Sequence, residues 1–288
     1  MSSFDFDKQQ IGRHFNRIAT GYDRSAQVSA EIANRLLERL DLVRLQPQRI
    51  LDLGCGTGHG AQALLRRYPG AEVIAMDLSA AMAASARRSG RFWQRRPRVA
   101  VADAEQLPLT GQCIELLFSS LMLPWCNDLD QTFREFHRIT RPGGLLMFTS
   151  LGPDTLIELR RSWQQIDTGT HVHPFLDMHD IGDALIRAGW ADPVMDVEHL
   201  TVTYPDFATL LAELRGQGGG NLAPDRSRGL LGRQRWQRLA DTYLRQYGID
   251  QRLPVSCEIV YGHAWRGDTP GRDGEVRIPL SQLKRRSG

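Results

Sequence analysis

The hydrophobic positions of the chain change their spacing near residue 45. Before it they recur every three or four places. Ile11, Phe15 and Ile18 share a face of a helix over 7–20, and Val28, Ile32, Leu36, Leu37 and Leu40 a face of a second over 26–42. Pro47 then breaks the chain, and short apolar runs begin to alternate with amphipathic stretches. The runs 50–53, 73–76, 98–101, 114–119 and 145–151 read as strands. Helices are predicted at about 59–67, after Ser79 and over 128–140; Ser79 suits an N-cap, and Arg141-Pro142-Gly143-Gly144 stops the third helix. Strands and helices alternating at this spacing predict a parallel sheet with right-handed crossovers.

Beyond 152 the pattern predicts helices at 154–166, 177–188, 206–215 and 233–247, and strands at 196–204 and 256–265. Gly216–Gly220 reads as a mobile loop, and the Gly, Pro, Arg and Asp that dominate from 267 onward read as a tail with little to pack. The expected organisation is an N-terminal helical lid over 1–45, a Rossmann-like α/β domain over 46–265 with insertions at about 152–192 and 206–250, and a disordered tail over 266–288.

Composition narrows the function. The 288 residues, 41% hydrophobic, are enough for a large core. No run of about 18 apolar residues predicts a membrane span, and the acidic start MSSFDFDKQQ does not read as an export signal. Cys55, Cys113, Cys126 and Cys257 are scattered, which suits neither zinc nor a disulfide framework, so a reducing cytoplasm is expected. A net charge of +3 is too small to imply nucleic acid. The positive charge is uneven: Arg226, Arg228, Arg233, Arg235, Arg238 and Arg245 face only Asp241 within their span.

The candidate chemistry lies at strand ends. Asp52-Leu53-Gly54-Cys55-Gly56-Thr57-Gly58 closes the first strand with glycines that let backbone approach a ligand, ahead of a helix N-terminus. Asp77 ends the second strand and Asp103 the third, where an open α/β sheet binds ligands. One carboxylate can accept both hydroxyls of a ribose and another the amine of adenine. A dinucleotide fingerprint would need a third glycine at position 59, which is His59, and the opening Asp52 suits a cation better than a pyrophosphate.

The segment Asp52–Gly58 resembles the first motif of class I S-adenosylmethionine (SAM)-dependent methyltransferases. The resemblance implies a mostly parallel sheet of seven strands and SAM as cofactor. It puts Gly54, Cys55 and Gly56 against the methionine part, with Asp52 beneath it. Asp77 would hold the ribose with Leu78 beside the adenine, and Asp103 and Ala104 would meet the adenine edge. Over about 5–265 the chain resembles the malonyl-acyl-carrier-protein O-methyltransferase family of bacterial biotin synthesis. The blocks that carry this are Phe15–Ala19 with Tyr22-Asp23, Ser119-Ser120-Leu121 with Trp125-Cys126, Thr149–Leu156, His179–Asp183, Arg228–Arg233 and Val260–Trp265.

That family's substrate would be a malonyl group on acyl carrier protein, with malonyl-CoA as an alternative carrier. Its free carboxylate is ionised at neutral pH, since carboxyls titrate near about 4, so it needs no general base. A dry site favours its reaction with a sulfonium, and an Arg fork can hold it. Arg141 and Arg138 are the candidates for that fork, with Ser119 and Tyr22 as hydroxyl partners; the resemblance places Tyr22 over the cofactor pocket. The basic cluster would receive the acidic carrier protein. His171, His173 and His179, near Asp177 and Asp180, match no standard ligand spacing, so no metal is expected. Two rivals remain: a methyltransferase of quinones or other small metabolites, and a non-catalytic SAM-fold binding protein.

Overall fold

The structure, a computed structural model, describes residues 6–90, 95–222 and 232–267. Every apolar run of the first half becomes a strand: β1 (Arg49–Leu53), β2 (Glu72–Asp77), β3 (Arg98–Val101), β4 (Ile114–Ser120) and β5 (Thr140–Leu151). With β6 (Ala191–Tyr204) and β7 (Leu253–Trp265) they form one seven-stranded sheet, ordered β3-β2-β1-β4-β5-β7-β6. The first five strands pair in parallel, and β7 runs antiparallel to both β5 and β6. Strand order reverses between the neighbours β1 and β4, which opens a crevice at their carboxyl ends.

Both faces of the sheet are covered, which is why its central strands are continuously apolar rather than alternating. On one face lie α3 (Gln27–Arg39), α4 (His59–Arg67) and α5 (Ala80–Arg88); their Ile32, Leu36, Leu64 and Ala86 pack with Ile50, Val73 and Leu116. On the other, Phe133, Phe136 and Ile139 of α6 (Leu129–Ile139) and Ile181 and Leu185 of α8 (Met178–Arg187) pack with Leu51, Leu117 and Leu146. Ser79 caps α5 as expected, its hydroxyl accepting from the Met82 amide at 3.2 Å.

The second half adds a structure of its own. β5 leaves β7 at Leu151 opposite Ile259, whereas β6 stays paired with β7 to Tyr204 opposite Leu253. The overhanging ribbon carries α7 (Ile157–Gln164), α9 (Phe207–Gly216) and α10 (Arg233–Tyr247) on a third apolar cluster that includes Leu159, Leu210, Leu239 and Tyr243. The buried Tyr243 hydroxyl donates to the Pro254 carbonyl at 2.6 Å, fastening α10 to the ribbon.

Three expectations change. Arg141–Gly144 does not form a turn ahead of β5 but belongs to it, with a register shift where Thr140 pairs Ile114 and Leu145 pairs Leu116. The N-terminal helices divide their roles. α1 (Lys8–Ile18) and α2 (Tyr22–Ser25) cover the crevice, whereas α3 also belongs to the core of the sheet. Gly216–Gly220 is packed rather than loose. At Gly218, with φ +89°, a Cβ would come within 2.5 Å of the Phe15 ring, so glycine there serves a close approach between α1 and the end of α9. The tail beyond residue 267 and the Arg226–Arg228 part of the basic cluster lie outside the described residues. Arg266, at the start of that tail, is tied to the sheet by its carbonyl, which accepts from the Gly143 amide at 2.8 Å.

The antiparallel seam supplies a test. Gly262 lies opposite Phe148, whose fully buried ring occupies the space a Cβ would need. Gly262→Ala is expected to lower stability by about 1–3 kcal/mol, the cost of overpacking a tight core. Denaturant unfolding reads it, and an unmoved midpoint would show that the seam can open at no cost.

Candidate active site

The crevice at the carboxyl ends of β1 and β4 is built around one loop. After Leu53 the chain turns back, and the Gly54 and Cys55 amides donate to the Met76 carbonyl at 2.8 and 3.0 Å, which ties the loop to β2. Gly54 has φ +73° and a Cβ there would be 2.6 Å from Met122, so packing excludes a side chain. Gly56 has φ +53°, but its open side faces the crevice, where the nearest atom to a Cβ would be in the Tyr22 ring at 3.9 Å. The loop's approach to a ligand is therefore made at Gly56. Asp77 holds it in place: one carboxylate oxygen accepts from the Gly56 amide at 2.9 Å and the other from the Ser79 amide at 2.8 Å.

Asp52 lies beneath the loop, 3% exposed, with Oδ2 unpartnered. Burial, reinforced by the charge of Asp77, pushes its pKa up to about 7 despite a hydrogen bond from the Ala61 amide. A carboxylate in this position favours a cation placed above the loop and disfavours an anion. Burial also raises the Tyr22 phenol, which hydrogen-bonds Ser29 and feels the charge of Asp77, so the hydroxyl stays protonated. At the far rim, Asp103 Oδ1 accepts from the Glu105 amide at 3.1 Å and from Lys8 at 3.3 Å. Lys8 also pairs with Glu105. Burial works against the charge of Lys8, yet Cys126, Glu105 and Asp103 hold its pKa above the ordinary value. Leu78 packs against Phe6 and Ile11, with Phe15, Trp125 and Leu222 nearby, and gives the cleft an apolar wall.

These groups line a cavity of about 710 Å³. Asp52, Gly54, Cys55, Gly56, Asp77, Leu78, Asp103, Ala104 and Tyr22 all meet there. Three of the sequence candidates do not. Ser119 is completely buried and donates to the Leu53 carbonyl at 3.0 Å; its neighbour Ser120 lines the cavity instead, since successive side chains of a strand face opposite ways. Arg141 lies near the start of β5, toward the opposite end of the sheet, where it is exposed and pairs with Glu115 at 2.6 Å. Arg138 is likewise engaged, with Glu135 at 2.7 Å and the Leu107 and Leu109 carbonyls. Neither arginine reaches the crevice. The three histidines separate too: His171 pairs with Asp167 and His179 with Asp177, while His173 sits among the rings of Phe6, Trp125 and Phe175.

Several lining residues were not among the expected site residues. Trp163, His171, His173, Arg215 and Trp236 come from the insertions and contribute to the half of the cavity remote from the loop, the two histidines having been weighed only as metal ligands. Burial lowers the His173 pKa to about 4, with Arg160 adding to the effect, so its imidazole is neutral.

The comparisons with known proteins agree with this geometry. Residues 51–148 match the family model described as a methyltransferase domain. The chain is 43% identical to the malonyl-acyl-carrier-protein O-methyltransferase of Gallionella capsiferriformans, covering 98% of this chain and 99% of the relative. It is 47% identical to that of Laribacter hongkongensis, over 92% and 91% of the two chains. The chain belongs to the malonyl-acyl-carrier-protein O-methyltransferase family. Among solved structures a putative methyltransferase of Bacillus halodurans superposes with a TM-score of 0.59 at 16% identity, over 82% of this chain and 98% of the other, which shows the shared fold. Family membership covers the insertions as well as the sheet, because the alignments to these relatives run across nearly the whole chain.

Asp52 makes the site's electrostatics measurable. Its carboxyl titrates near 3.8 when unfolded and near 7 when folded, so between these values the folded state binds more protons. Stability of the ligand-free protein therefore falls as pH rises through that window. Asp52→Asn keeps the shape and removes the titration, and is expected to flatten the fall between about pH 4 and 7 in denaturant unfolding. An unchanged slope would mean that Asp52 ionises underneath the loop without penalty.

Proposed function

We propose that this chain transfers a methyl group from SAM to the free carboxylate of a malonyl thioester on acyl carrier protein, giving the methyl ester that opens biotin synthesis. The observation that carries the reading is the sorting of charge inside one cavity. Among the described residues the acids of its wall, Asp23, Asp52, Asp77 and Asp103, all belong to the end around the glycine loop, and the wall contributed by described residues of 151–259 contains none. A cationic nucleotide fits the first end and an anionic acceptor the second.

The residues present fit SAM. Asp52 offers an unpartnered buried oxygen to a cation, and Gly56 leaves open space where a side chain would stand. Asp77 retains acceptor capacity for a ribose beyond the two amides it already serves. Leu78, Asp103 and Ala104 would border the adenine. When bound, the cofactor supplies a methyl group on a positively charged sulfur, which a carboxylate oxygen takes up as an ester without any proton transfer. The protein's task is then to bind, orient and exclude water. Tyr22 closes over the glycine loop, and α1 covers the rim through Asn16, which accepts from the Ser79 hydroxyl at 2.8 Å and the Ala81 amide at 2.9 Å. Ser119 and Arg141 have no part in this reading.

The carrier protein is the partner, with malonyl-CoA as a smaller thioester carrying the same malonyl group. Of the basic cluster, Arg233 and Arg238 are exposed on α10 and available to an acidic surface, whereas Arg235 pairs with Asp167. Nucleic acid has no role. No helix among the described residues is long and apolar enough to cross a membrane, and the enzyme would work in the cytoplasm, where its substrate is made.

The decisive measurement is mass spectrometry of malonyl carrier protein incubated with SAM and the enzyme. The expected product gains one methyl, which is lost again on ester hydrolysis. Methylation of a quinone with none of the malonyl carrier protein would establish the small-metabolite rival, and SAM binding with no turnover on either would establish the non-catalytic one.

A further inference from the structure

The acceptor half of the cavity needs a cation, and neither Arg141 nor Arg138 supplies one. Two cationic side chains contribute to the cavity wall among the described residues, Lys8 and Arg215. Lys8 is held by Asp103 and Glu105 at the adenine rim, so its charge is already compensated. Arg215, in the last turn of α9, has no acidic partner among the described residues. The histidines of the same wall, His171 and His173, both have pKa values lowered by burial and carry no standing charge.

The backbone that carries Arg215 is packed against the N-terminal helices. On its C-terminal side Gly216 abuts Ser25 of α2, and Gly218 abuts Phe15 of α1. The same α2 carries Tyr22, whose ring stands over Gly56. One short helix therefore touches both the glycine loop's cover and the base of Arg215. An exposed arginine with no acidic partner among the described residues thus contributes to the chamber wall, next to the element that roofs the cofactor end.

Resting on the methyl-transfer reading above, we infer that Arg215 is the specificity-determining residue of the acceptor site. It binds the free carboxylate of the malonyl group and lets that acid, rather than a neutral acyl chain, enter beside the cofactor. A guanidinium matches the planar carboxylate by paired hydrogen bonds. Each carboxylate oxygen keeps a further lone pair, so the pairing still leaves one free to attack the methyl group. Acetyl and other uncharged thioesters would gain nothing from this contact.

The test compares malonyl carrier protein with malonamyl carrier protein, an uncharged isostere, as ligands of the wild type, Arg215→Met and Arg215→Lys. Methylation of the malonyl form gives kcat/KM, and competition gives the inhibition constant of the malonamyl form. Binding of SAM to each protein is measured by calorimetry. Wild type is expected to favour the charged ligand over the neutral one. Arg215→Met should lose about 10–100-fold in kcat/KM for the malonyl form, the scale of a hydrogen bond to a charged group. It should leave the malonamyl inhibition constant and SAM affinity within about twofold, and Arg215→Lys should recover part of the loss. An active wild type with an equally active Arg215→Met overturns the inference while leaving the methyl-transfer reading intact. A parallel loss of SAM or malonamyl binding in Arg215→Met also overturns it, because the residue is then structural. A wild type inactive on malonyl carrier protein defeats the methyl-transfer reading itself.

Discussion

The structure depends on one constraint: a carboxylate, Asp52, buried under a glycine loop with one oxygen left without a partner. Burying an unpaired charge is costly, so in the free protein the group responds by holding its proton up to about pH 7. A cation above the loop reverses that balance. The rest of the cofactor end is arranged around the same point. Asp77 pins the loop through the Gly56 amide, and Met76 receives the Gly54 and Cys55 amides. Moving any of these would move the loop away from its acid. A pyrophosphate would meet Asp52, Asp77 and Asp103 as like charges, and this electrostatic argument excludes a dinucleotide more firmly than the missing glycine at His59 does.

The acceptor end is made by different means. Nothing in a parallel sheet with helices on both faces supplies a chamber for a second substrate. Here β6 and β7 supply it by running past β5, so that α7, α9 and α10 have a platform beyond the carboxyl ends of the parallel strands. The apolar cluster that stabilises this platform also forms the chamber wall, with Leu156, Leu159 and Trp236 taking part in both. Trp163, Phe175 and Trp236 give this wall its aromatic surface.

The fold was legible in the sequence because each strand of the parallel half is a closed apolar run and each helix has its own face. The helix at 59–67 and the cap at Ser79 follow from local chemistry, and the structure keeps them at those residues. The cofactor half of the site was legible for the same reason: its acids and glycines sit at strand ends, and strand ends are local features. The acceptor half was not. Ser119 and Ser120 differ by one residue, and the strand's twofold alternation decides which of them faces the cavity; a run of continuously apolar positions gives no phase from which to tell. Arg141 was expected near the strand ends, but the ligand end of a parallel strand is its carboxyl end, and Arg141 sits at the start of β5. Gly216–Gly220 looked like a loose loop because glycine marks both flexibility and close contact, and only the partner surface, here Phe15 and Ser25, distinguishes the two.

The two ends of the cavity share one cover, and this has a consequence for the reaction. α1 is anchored to the cofactor end through Asn16 and Lys8 and to the acceptor end through Phe15 against Gly218 and His14 against the Gly218 carbonyl at 3.2 Å. One helix therefore contacts both halves of the cavity. Bringing together a cation and an anion whose charges cancel on reaction is favoured by the removal of water from both. A helix that contacts both halves shields both from water. A cation bound above Asp52 would in turn offer an anion in the neighbouring chamber a second positive centre.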